Sequence, residues 1–310
     1  MITINQLNKH INNTVESQYL LTNITEHVAR NGNLYKQLTL EDSTGSFTVY
    51  VWPKSGMLEK LPRHIPANVR VILDIKMLNQ HLCGYLVSIY TLASHEIKNA
   101  ARLLPLFSCP APARESLGSL VRFIDHLPKT PLKTFVNNVL IDPEIAQHFL
   151  TSKASMRHHH NESGGLLIHS VEVLKLAFRL AQNCALDEVE INIIAVAGLL
   201  HDIGKIRTVG SNSVRPVHYN LVSHEAQNLM MLSPYIDELS LRAPGDAAAL
   251  KYIFNYLLTP RKTRDIAKFI GADIVVQADA LSAALVNKRR LPDLLQHYLP
   301  QQQALALGLY

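Results

Sequence analysis

Four side chains able to bind a metal ion stand in apolar surroundings in the second half of the sequence. His201 and Asp202 are adjacent and follow the apolar run AVAGLL. Burying an imidazole and a carboxylate together at the end of a core helix is costly unless a divalent cation lies between them. Further ligands should come from other helices: His169 opens the preceding apolar segment, and Asp279 lies within the apolar stretch VVQADALS. Each residue alone is typical of a hydrogen-bonded core histidine or a capping aspartate, but the four together predict a metal site.

The mixture of imidazole and carboxylate ligands predicts the kind of metal and its chemistry. It suits Mn²⁺, Fe²⁺, Co²⁺, Ni²⁺ or Zn²⁺ better than Mg²⁺, and we expect Mn²⁺. Such an ion would acidify a water molecule and polarise a phosphorus atom, which leads to hydrolysis of a phosphodiester. Asp202 would bind the metal and take the proton of the water. Lys205, one turn further on, would contact a phosphate oxygen, or would instead be a cation that stabilises a helix C-terminus.

Composition and charge restrict the class of protein. The chain has 310 residues, which suits about two domains, and its formal net charge of +5 favours polyanionic partners such as nucleic acid. No apolar run is long enough to span a bilayer, so no membrane partner is expected, and the first residues do not predict a secretory signal. Three scattered cysteines (Cys83, Cys109 and Cys184) favour the reducing cytoplasm and argue against a zinc–cysteine site. The sequence does not determine an oligomeric state.

The first third of the chain has the two-residue period of β-strands. Within residues 14–95, YKQLTLEDSTGSFTVYVWP contains two alternating strands joined by EDSTGS, and ANVRVILDIKML is joined to CGYLVSIYTL by NQHLCG. With SQYLLTNITEHVAR ahead of them, these segments predict five strands, enough for a small closed barrel. The alternation places one set of apolar residues in the barrel core: Leu38, Leu40, Phe47, Val49 and Val51.

The other face of the same strands carries aromatic residues. Tyr35, Tyr50 and Trp52 must point away from the core, and Lys36 and Lys54 are close to them in sequence. Such a face predicts a platform on which unpaired bases stack. The alternative is that these aromatic residues pack against the second domain.

The remainder of the chain has a helical period. Three prolines and a change of composition in LLPLFSCPAPARESLG predict a linker, so we expect a barrel domain at 1–100, a linker at 101–117, an all-helical domain at 118–300 and a tail at 301–310. His201 and Asp202 are expected at the end of an apolar helix that stops at Gly204, and a Gly-Gly turn is expected to start the helix of His169. Seven helices are predicted, at 117–127, 132–142, 165–183, 187–204, 223–239, 245–258 and 272–290.

Two resemblances agree with this organisation. LYKQLTLEDSTGSFTVYVW, with its L-x-D-x-T-G turn, resembles the central hairpin of OB-fold nucleic-acid-binding domains over about residues 10–95. The order of His169, then His201 and Asp202, then a distant Asp279 resembles the metal motif of the HD phosphohydrolase superfamily over about residues 120–295. The resemblances imply an α+β multidomain protein, with a five-stranded OB-fold β-barrel ahead of an all-α HD domain and these four residues as metal ligands.

The histidines before the first metal ligand narrow the family. HHNESGGLLIH resembles the corresponding segment of YhaM-type 3′–5′ exoribonucleases, which also have an OB-fold ahead of the HD domain. His159 and His160 could donate to a substrate phosphate or protonate the leaving oxygen, or they could lie solvated in a loop. We assign His160 to catalysis and His159 to nucleic-acid binding. YNLVSHE resembles a family segment that places His224 at the site, in contact with substrate or a weaker second ion. The HD segment is also similar to that of relaxase-associated proteins of conjugative elements.

One departure from the family bears on the number of metal ions. Two-metal HD enzymes commonly supply a further histidine on the helix after the one that carries His224, but LKYIFNYLLTPRKTR contains none. A single metal ion is therefore expected. The basic cluster RKTR in that segment, and NKRR further on, could extend a phosphate-binding groove or lie on a solvated face.

A metal-dependent 3′–5′ exonuclease acting on single-stranded RNA or DNA is the function that these features predict. The second alternative is an HD phosphohydrolase of mononucleotides or cyclic nucleotides. It ranks below the exonuclease because an enzyme of small molecules has little use for a barrel with aromatic residues on its outer face. A non-catalytic nucleic-acid-binding subunit is the third alternative, and the complete set of four ligands argues against it. No residue can be assigned to a 2′-hydroxyl contact, so the sequence does not choose between RNA and DNA.

Overall fold

The computed structural model describes residues 1–53, 56–156, 160–211 and 221–286. Several sequence-based predictions fall outside these ranges: the nucleic-acid contacts Lys54 and His159, the NKRR cluster, the end of the helical domain and the tail at 301–310. Among the described helices, none is both long and apolar enough to cross a membrane.

The N-terminal part of the chain is a closed five-stranded barrel, as predicted. Its strands are β1 (Thr14–Val28), β2 (Leu34–Asp42), β3 (Gly45–Val51), β4 (Ala67–Leu78) and β5 (His81–Thr91). They pair in the order β1-β2-β3-β5-β4, and β4 pairs back with β1. All pairs are antiparallel except β3 with β5. The five predicted core residues are buried, which confirms the faces assigned to β2 and β3.

Two of the hairpins of the barrel, β2–β3 and β4–β5, are tighter than predicted. Asp42 pairs with Gly45, and its carboxylate accepts a hydrogen bond from the amide of Thr44 at 2.7 Å, which fixes a two-residue turn. β4 and β5 are joined by Asn79 and Gln80 alone, both in the left-handed conformation with φ of 48° and 66°. The prediction that the whole of NQHLCG is a connection was therefore wrong, because two left-handed residues suffice for a hairpin turn.

The rest of the described chain is helical, as predicted. Its helices are α1 (Arg114–His126), α2 (Pro131–Ile141), α3 (Pro143–Thr151), α4 (Gly165–Asn183), α5 (Glu188–Leu200), α6 (Lys205–Thr208), α7 (His224–Ser240), α8 (Pro244–Leu258) and α9 (Ile270–Val286). The prediction missed α3 and α6. Asp142 starts α3 directly after α2, because its side chain accepts a hydrogen bond from the amide of Glu144 at 2.8 Å. α6 is a single turn, too short to show a period.

The segment predicted as a linker packs against both halves of the chain. It contains short 3₁₀ helices at Ala100–Leu103, Leu106–Ser108 and Ala111–Ala113. Leu104 and Cys109 are buried in the apolar core of the helices. The amide of Ser43, in the β2–β3 turn, donates to the carbonyl oxygen of Arg102 at 2.8 Å. Barrel and helices are thus joined through packed structure, and the domain boundaries themselves stay a prediction.

Candidate functional site

The four predicted metal ligands lie together where three helices meet. His169 comes from α4, His201 and Asp202 follow α5, and Asp279 comes from α9. Asp202 Oδ2 is 3.2 Å from His169 Nε2 and 3.3 Å from His201 Nε2. Asp279 Oδ1 is 3.3 Å and 3.7 Å from the same two nitrogens. Residues from distant parts of the sequence thus form one cluster of two imidazoles and two carboxylates.

Both imidazoles are oriented so that Nε2 faces the carboxylates. Nδ1 of His201 donates to the carbonyl oxygen of Gly198 at 2.8 Å, since a carbonyl can only accept. Nδ1 of His169 lies 3.1 Å from Ser282 Oγ. Histidines that bind a metal through Nε2 commonly use Nδ1 in this way. The buried Nε2 of His201 makes no hydrogen bond of acceptable geometry within the described residues, so the donor set fits a metal ion.

The pKa values of three residues in the cluster are shifted from their usual range. Burial alone would lower the pKa of His201, but the carboxylates of Asp202 and Asp279 outweigh burial and raise this pKa to about 10. Burial acts in the opposite sense on the two carboxyl groups, yet the neighbouring imidazoles, and Lys205 beside Asp202, hold the pKa of each well below its usual range. A protonated His201 therefore balances the charge of the carboxylates when no other cation is bound.

A pocket of about 350 Å³ opens over the cluster, lined in part by His201, Asp202 and Asp279. His224, the first residue of α7, also lines it, and its Nε2 is 3.3 Å from Asp202 Oδ1. Lys205 donates from Nζ to Asp202 Oδ2. The structure thus places His224 and Lys205, both predicted to act beside the metal ligands, against the same aspartate, one on each of its oxygens.

A further cation of the pocket was not singled out from the sequence. Arg264 lines the pocket and donates from Nη2 to the carbonyl oxygens of Leu257 and Thr259, at 3.0 Å and 2.7 Å, beside the C-terminus of α8. Its guanidinium also lies 5.0 Å from the ring centre of Tyr256. These contacts hold a planar cation where an anionic substrate would enter. The RKTR cluster was its only signal, and a basic run does not distinguish a pocket cation from a solvated face.

An aromatic row crosses the outside of the barrel. We define it as His27, Tyr35, Trp52, Tyr50 and Tyr85, which come from β1, β2, the end of β3, β3 and β5. Tyr35 stacks on Trp52, with ring centres 4.9 Å apart, and on His27, at 5.4 Å. Tyr50 lies 6.0 Å from both Tyr35 and Tyr85. Strand pairing produces the row, since His27 is paired with Tyr35 and Tyr50 with Tyr85.

The predicted Lys36 does not belong to the aromatic row. It pairs with Val51 on the core face of β3, so the strand alternation turns its side chain away from Tyr35. Within the described residues, Tyr35, Tyr50 and Tyr85 are neither in the apolar core of the helices nor among the side chains packed on it. The row therefore lies on the surface of the barrel, where Trp52 is 37% exposed.

Comparison with known families identifies the segment that carries the four ligands. The family model for the HD domain matches residues 166–284, from the start of α4 into α9. This segment is an HD domain. All four predicted metal ligands lie within the match, and the barrel lies ahead of it.

Two proteins named as exoribonucleases are similar to this chain over most of its length. The 3′–5′ exoribonuclease YhaM of Bacillus subtilis is 24% identical over 231 residues, which cover 73% of this chain and 71% of the relative. YhaM of Listeria welshimeri is 22% identical over 237 residues, or 76% of this chain and 74% of the relative. Among solved structures, the second OB-fold domain of replication protein A from Methanococcus maripaludis is 19% identical and matches 27% of this chain and 85% of that domain, with a TM-score of 0.21. The similarity to the two exoribonucleases agrees with the family resemblance seen in the sequence.

Gly204 allows α7 to reach the metal site of the HD domain. The prediction that it ends the preceding helix was wrong: α5 ends at Leu200, and Gly204 has a right-handed helical conformation with φ of −61°. A Cβ at this position would lie 2.1 Å from the carbonyl oxygen of His224. Glycine is needed because the α7 backbone passes against it. A glycine that permits close approach and one that ends a helix look alike in a sequence.

Replacing Gly204 by alanine should therefore destabilise the HD domain. The added methyl group meets backbone atoms of α7, which cannot rotate away, so we expect a loss of roughly 1–3 kcal/mol in the free energy of unfolding. Gly245→Ala in α8 is a matched control, because nothing lies within 4 Å of a Cβ there. It should be neutral or stabilising by about 0.5–1 kcal/mol. Denaturant unfolding measures both changes, and equal stability of the two variants would contradict the role given to Gly204.

His160, predicted to act in catalysis, is not among the residues that line the pocket of the HD domain. Its side chain is 9% exposed, and its Nε2 lies 3.0 Å from Glu172 Oε2. Burial lowers the pKa of His160, but Glu172 and Glu162 raise it by more. Gly164, with φ of 82°, starts α4 as predicted, and Gly165 gives room to the carbonyl oxygen of His160. Glu172 was missed because a glutamate on a half-exposed helix face looks like a solvated residue.

Metal binding by the HD domain at neutral pH should release a proton. Because the pKa of His201 is about 10, its imidazole is protonated at pH 7, and a metal ion must displace that proton. We expect about one proton released per ion, and an affinity for Mn²⁺ that rises with pH. Calorimetric titration in buffers of different ionisation enthalpy measures the release. Binding without proton release at pH 7 would contradict the raised pKa of His201.

The same pKa shifts set the pH dependence of the metal-free fold. The raised pKa of His201 stabilises the fold fully below the usual histidine pKa of about 6.5, and this contribution is lost as the pH rises towards 10. The lowered pKa values of Asp202 and Asp279 stabilise the fold above the usual carboxyl pKa, and that contribution is lost in acid.

Proposed function

We propose that this protein is a metal-dependent 3′–5′ exonuclease that hydrolyses single-stranded RNA or DNA. The observation that carries the proposal is the cluster of two imidazoles and two carboxylates under a pocket of an HD domain. Similarity over most of the chain to proteins named 3′–5′ exoribonucleases supports the polarity and the class of substrate. The net charge of +5 suits a polyanionic strand.

The donor set supports one divalent transition-metal ion. Mn²⁺ is our first expectation, with Fe²⁺, Co²⁺, Ni²⁺ and Zn²⁺ as alternatives. When bound, such an ion acidifies a water molecule and polarises the phosphorus of a phosphodiester. The wall of the pocket that comes from α8 supplies Leu257 and Leu258, which offer no ligand to a second ion. The proposed ligands are His169, His201, Asp202 and Asp279.

The residues around the pocket supply the remaining chemistry. Asp202 can accept the proton of the attacking water, since it lies in the floor of the pocket. His224 has an imidazole that is 36% exposed, and it can donate to a phosphate oxygen or to the leaving oxygen. Lys205 and Arg264 bring positive charge to the scissile phosphate. The first turn of α7 lines the same pocket, and the N-terminus of a helix favours an anion.

The aromatic row supports the preference for an unpaired strand. Bases stack on aromatic side chains with little regard to their identity, but only when they are released from a duplex. The row spans neighbouring strands of the barrel and so offers successive bases a continuous surface. An enzyme that hydrolyses only mononucleotides has no use for such a surface.

The test is degradation of a 5′-labelled single strand, offered as RNA and as DNA in parallel, in the presence of Mn²⁺. We expect a ladder of products that shortens from the 3′ end, while a blunt duplex and a circular single strand resist. Equal attack on strand and duplex, or cleavage within the circle, would refute an exonuclease of single strands.

Free nucleotides in the same assay test the second candidate, a phosphohydrolase of mononucleotides or cyclic nucleotides. The size of the pocket favours this alternative, because about 350 Å³ is within the range of small-ligand sites. Hydrolysis of free nucleotides with no attack on the strand would establish it. Strand binding without hydrolysis, in the presence of any of the five metals, would make the chain a non-catalytic nucleic-acid-binding subunit.

A further inference from the structure

A chain of hydrogen bonds runs from the metal ligand His169 away from the pocket. His169 Nδ1 lies 3.1 Å from Ser282 Oγ, and this hydroxyl donates to Glu172 Oε2 at 2.9 Å. His160 Nε2 lies 3.0 Å from the same carboxylate oxygen. Ser282 is completely buried, whereas the side chain of Glu172 is 37% exposed. Four polar side chains are thus connected in the order His169, Ser282, Glu172, His160.

Glu172 and Ser282, the two central residues of this series of hydrogen bonds, lie on helices that also carry proposed metal ligands. Glu172 follows His169 by three residues on α4, and Ser282 follows Asp279 by three residues on α9. Residues three apart share a helix face, so the packing that brings His169 to Asp279 also brings Glu172 to Ser282. The hydrogen bond between Ser282 and Glu172 therefore joins α4 to α9 one turn away from the metal ligands.

The direction of the hydrogen bonds places a proton on Nδ1 of His169. A hydroxyl has a single hydrogen, and Ser282 gives it to the carboxylate, which can only accept. Ser282 Oγ must then accept from Nδ1–H of His169. A proton on Nδ1 leaves Nε2, which faces Asp202 and Asp279, as the nitrogen that would bind a metal ion.

We propose that Glu172 is a positioning residue of the metal centre, which acts through Ser282 to hold His169 in its metal-binding form and is itself anchored by His160. This inference rests on the proposed metal site. It gives His160 a supporting role in place of a direct contact with the leaving oxygen. A carboxylate at the end of such a chain also increases the basicity of the imidazole and hence its strength as a ligand.

The same residues could be read instead as a second metal site. Ligand atoms of His160, His169 and Glu172 lie within 4.8 Å of one another. The hydrogen bonds favour the positioning role, because Glu172 Oε2 already receives two donors and Nδ1 of His169 donates to Ser282. Metal stoichiometry distinguishes the two arrangements.

The test measures Mn²⁺ affinity and stoichiometry of the full chain, from the electron paramagnetic resonance signal of free Mn²⁺. Wild type is compared with Glu172→Ala, Ser282→Ala and the double variant. We expect one ion per chain and a loss of affinity of about ten- to a hundredfold in each single variant. The double variant should bind no more weakly than Ser282→Ala, because Glu172 acts only through Ser282. Glu172→Gln keeps an acceptor oxygen without the charge, so its loss should be smaller.

Glu115→Ala on α1 is the control for loss of a carboxylate, and it should bind Mn²⁺ like wild type. The absorption spectrum of bound Co²⁺ adds a readout that general destabilisation would not change: Glu172→Ala should alter its bands, and Glu115→Ala should not. Unchanged affinity and spectrum in Glu172→Ala would overturn the inference and leave the proposed function intact. Two ions in wild type with one lost in Glu172→Ala would also overturn it, since Glu172 would then be a ligand. A wild-type chain that binds no metal would instead overturn the proposed function.

Discussion

The variant Asp202→Asn should hydrolyse single strands on the order of 10²–10⁴ times more slowly than the wild-type protein. The carboxylate of Asp202 faces His169, His201 and Lys205 on one oxygen and His224 on the other, and it is almost completely buried. A positioned proton acceptor typically contributes about 10²–10⁴-fold to the rate, and the amide of asparagine cannot take this role. The initial rate of 3′-end shortening at saturating Mn²⁺ measures the effect.

Asp237→Asn is the matched control for this substitution. Asp237 lies on α7, its side chain is 62% exposed, and it pairs with Lys251. The same change of chemistry there should leave the rate unaltered, because exposed ion pairs contribute little and this one is not at the pocket. If Asp202→Asn retained the wild-type rate while its melting temperature was unchanged, the cluster would have no part in hydrolysis.

Truncation of the aromatic row should weaken the capture of a long strand and spare the chemical step. Tyr35 has the most neighbours in the row, since it stacks on His27 and Trp52 and lies near Tyr50. Stacking is worth about 1–3 kcal/mol per base, so Tyr35→Ala should raise the dissociation constant of a single strand by about 5- to 150-fold. The kcat on a dinucleotide should be unchanged, because no residue of the row lines the pocket. Fluorescence anisotropy and steady-state kinetics provide the two measurements.

Tyr90→Ala serves as the control for a lost tyrosine on the same barrel. Tyr90 lies on β5, is 59% exposed and does not belong to the aromatic row. The Tyr90→Ala variant should bind the single strand with the affinity of the wild-type protein. The alternative, that the row packs on the second domain, predicts a different pattern: Tyr35→Ala would then lower the melting temperature and leave strand affinity unchanged. That pattern would remove the row from the nucleic-acid interface.

The cluster of proposed metal ligands could be predicted from the sequence because its members are ionisable residues in apolar surroundings. Asp202 and Asp279 stand in apolar segments of the sequence, where an acid is costly to bury, so their positions carry information in a single sequence. Glu172 and Arg264 do not stand out in the sequence, because charged residues are normal on exposed helix faces and in loops. Their roles depend on which helix packs beside them, and that is decided by tertiary structure.

The barrel shows the same limit of sequence-based prediction. Alternation identified the core face of β2 and β3, and with it Tyr35, Tyr50 and Trp52, because strand geometry fixes which side chains share a face. His27 and Tyr85 were not found, since they join the aromatic row only through pairing between strands. The pairing partner of a strand is a property of the folded barrel and leaves no local pattern.

The position of Asp279 on α9 has a consequence for how the protein is made. His169 and Ser282, which join α4 to α9, are separated by 113 residues in sequence. A chain still being synthesised has α4 and α5, with three of the four ligands, well before α9 emerges. Because contacts between distant segments form only after the intervening chain has closed, complete metal coordination must wait for α9 to dock. Under the proposed function, hydrolytic activity would arise only once α9 has docked, so a nascent chain would not yet hydrolyse single-stranded nucleic acid.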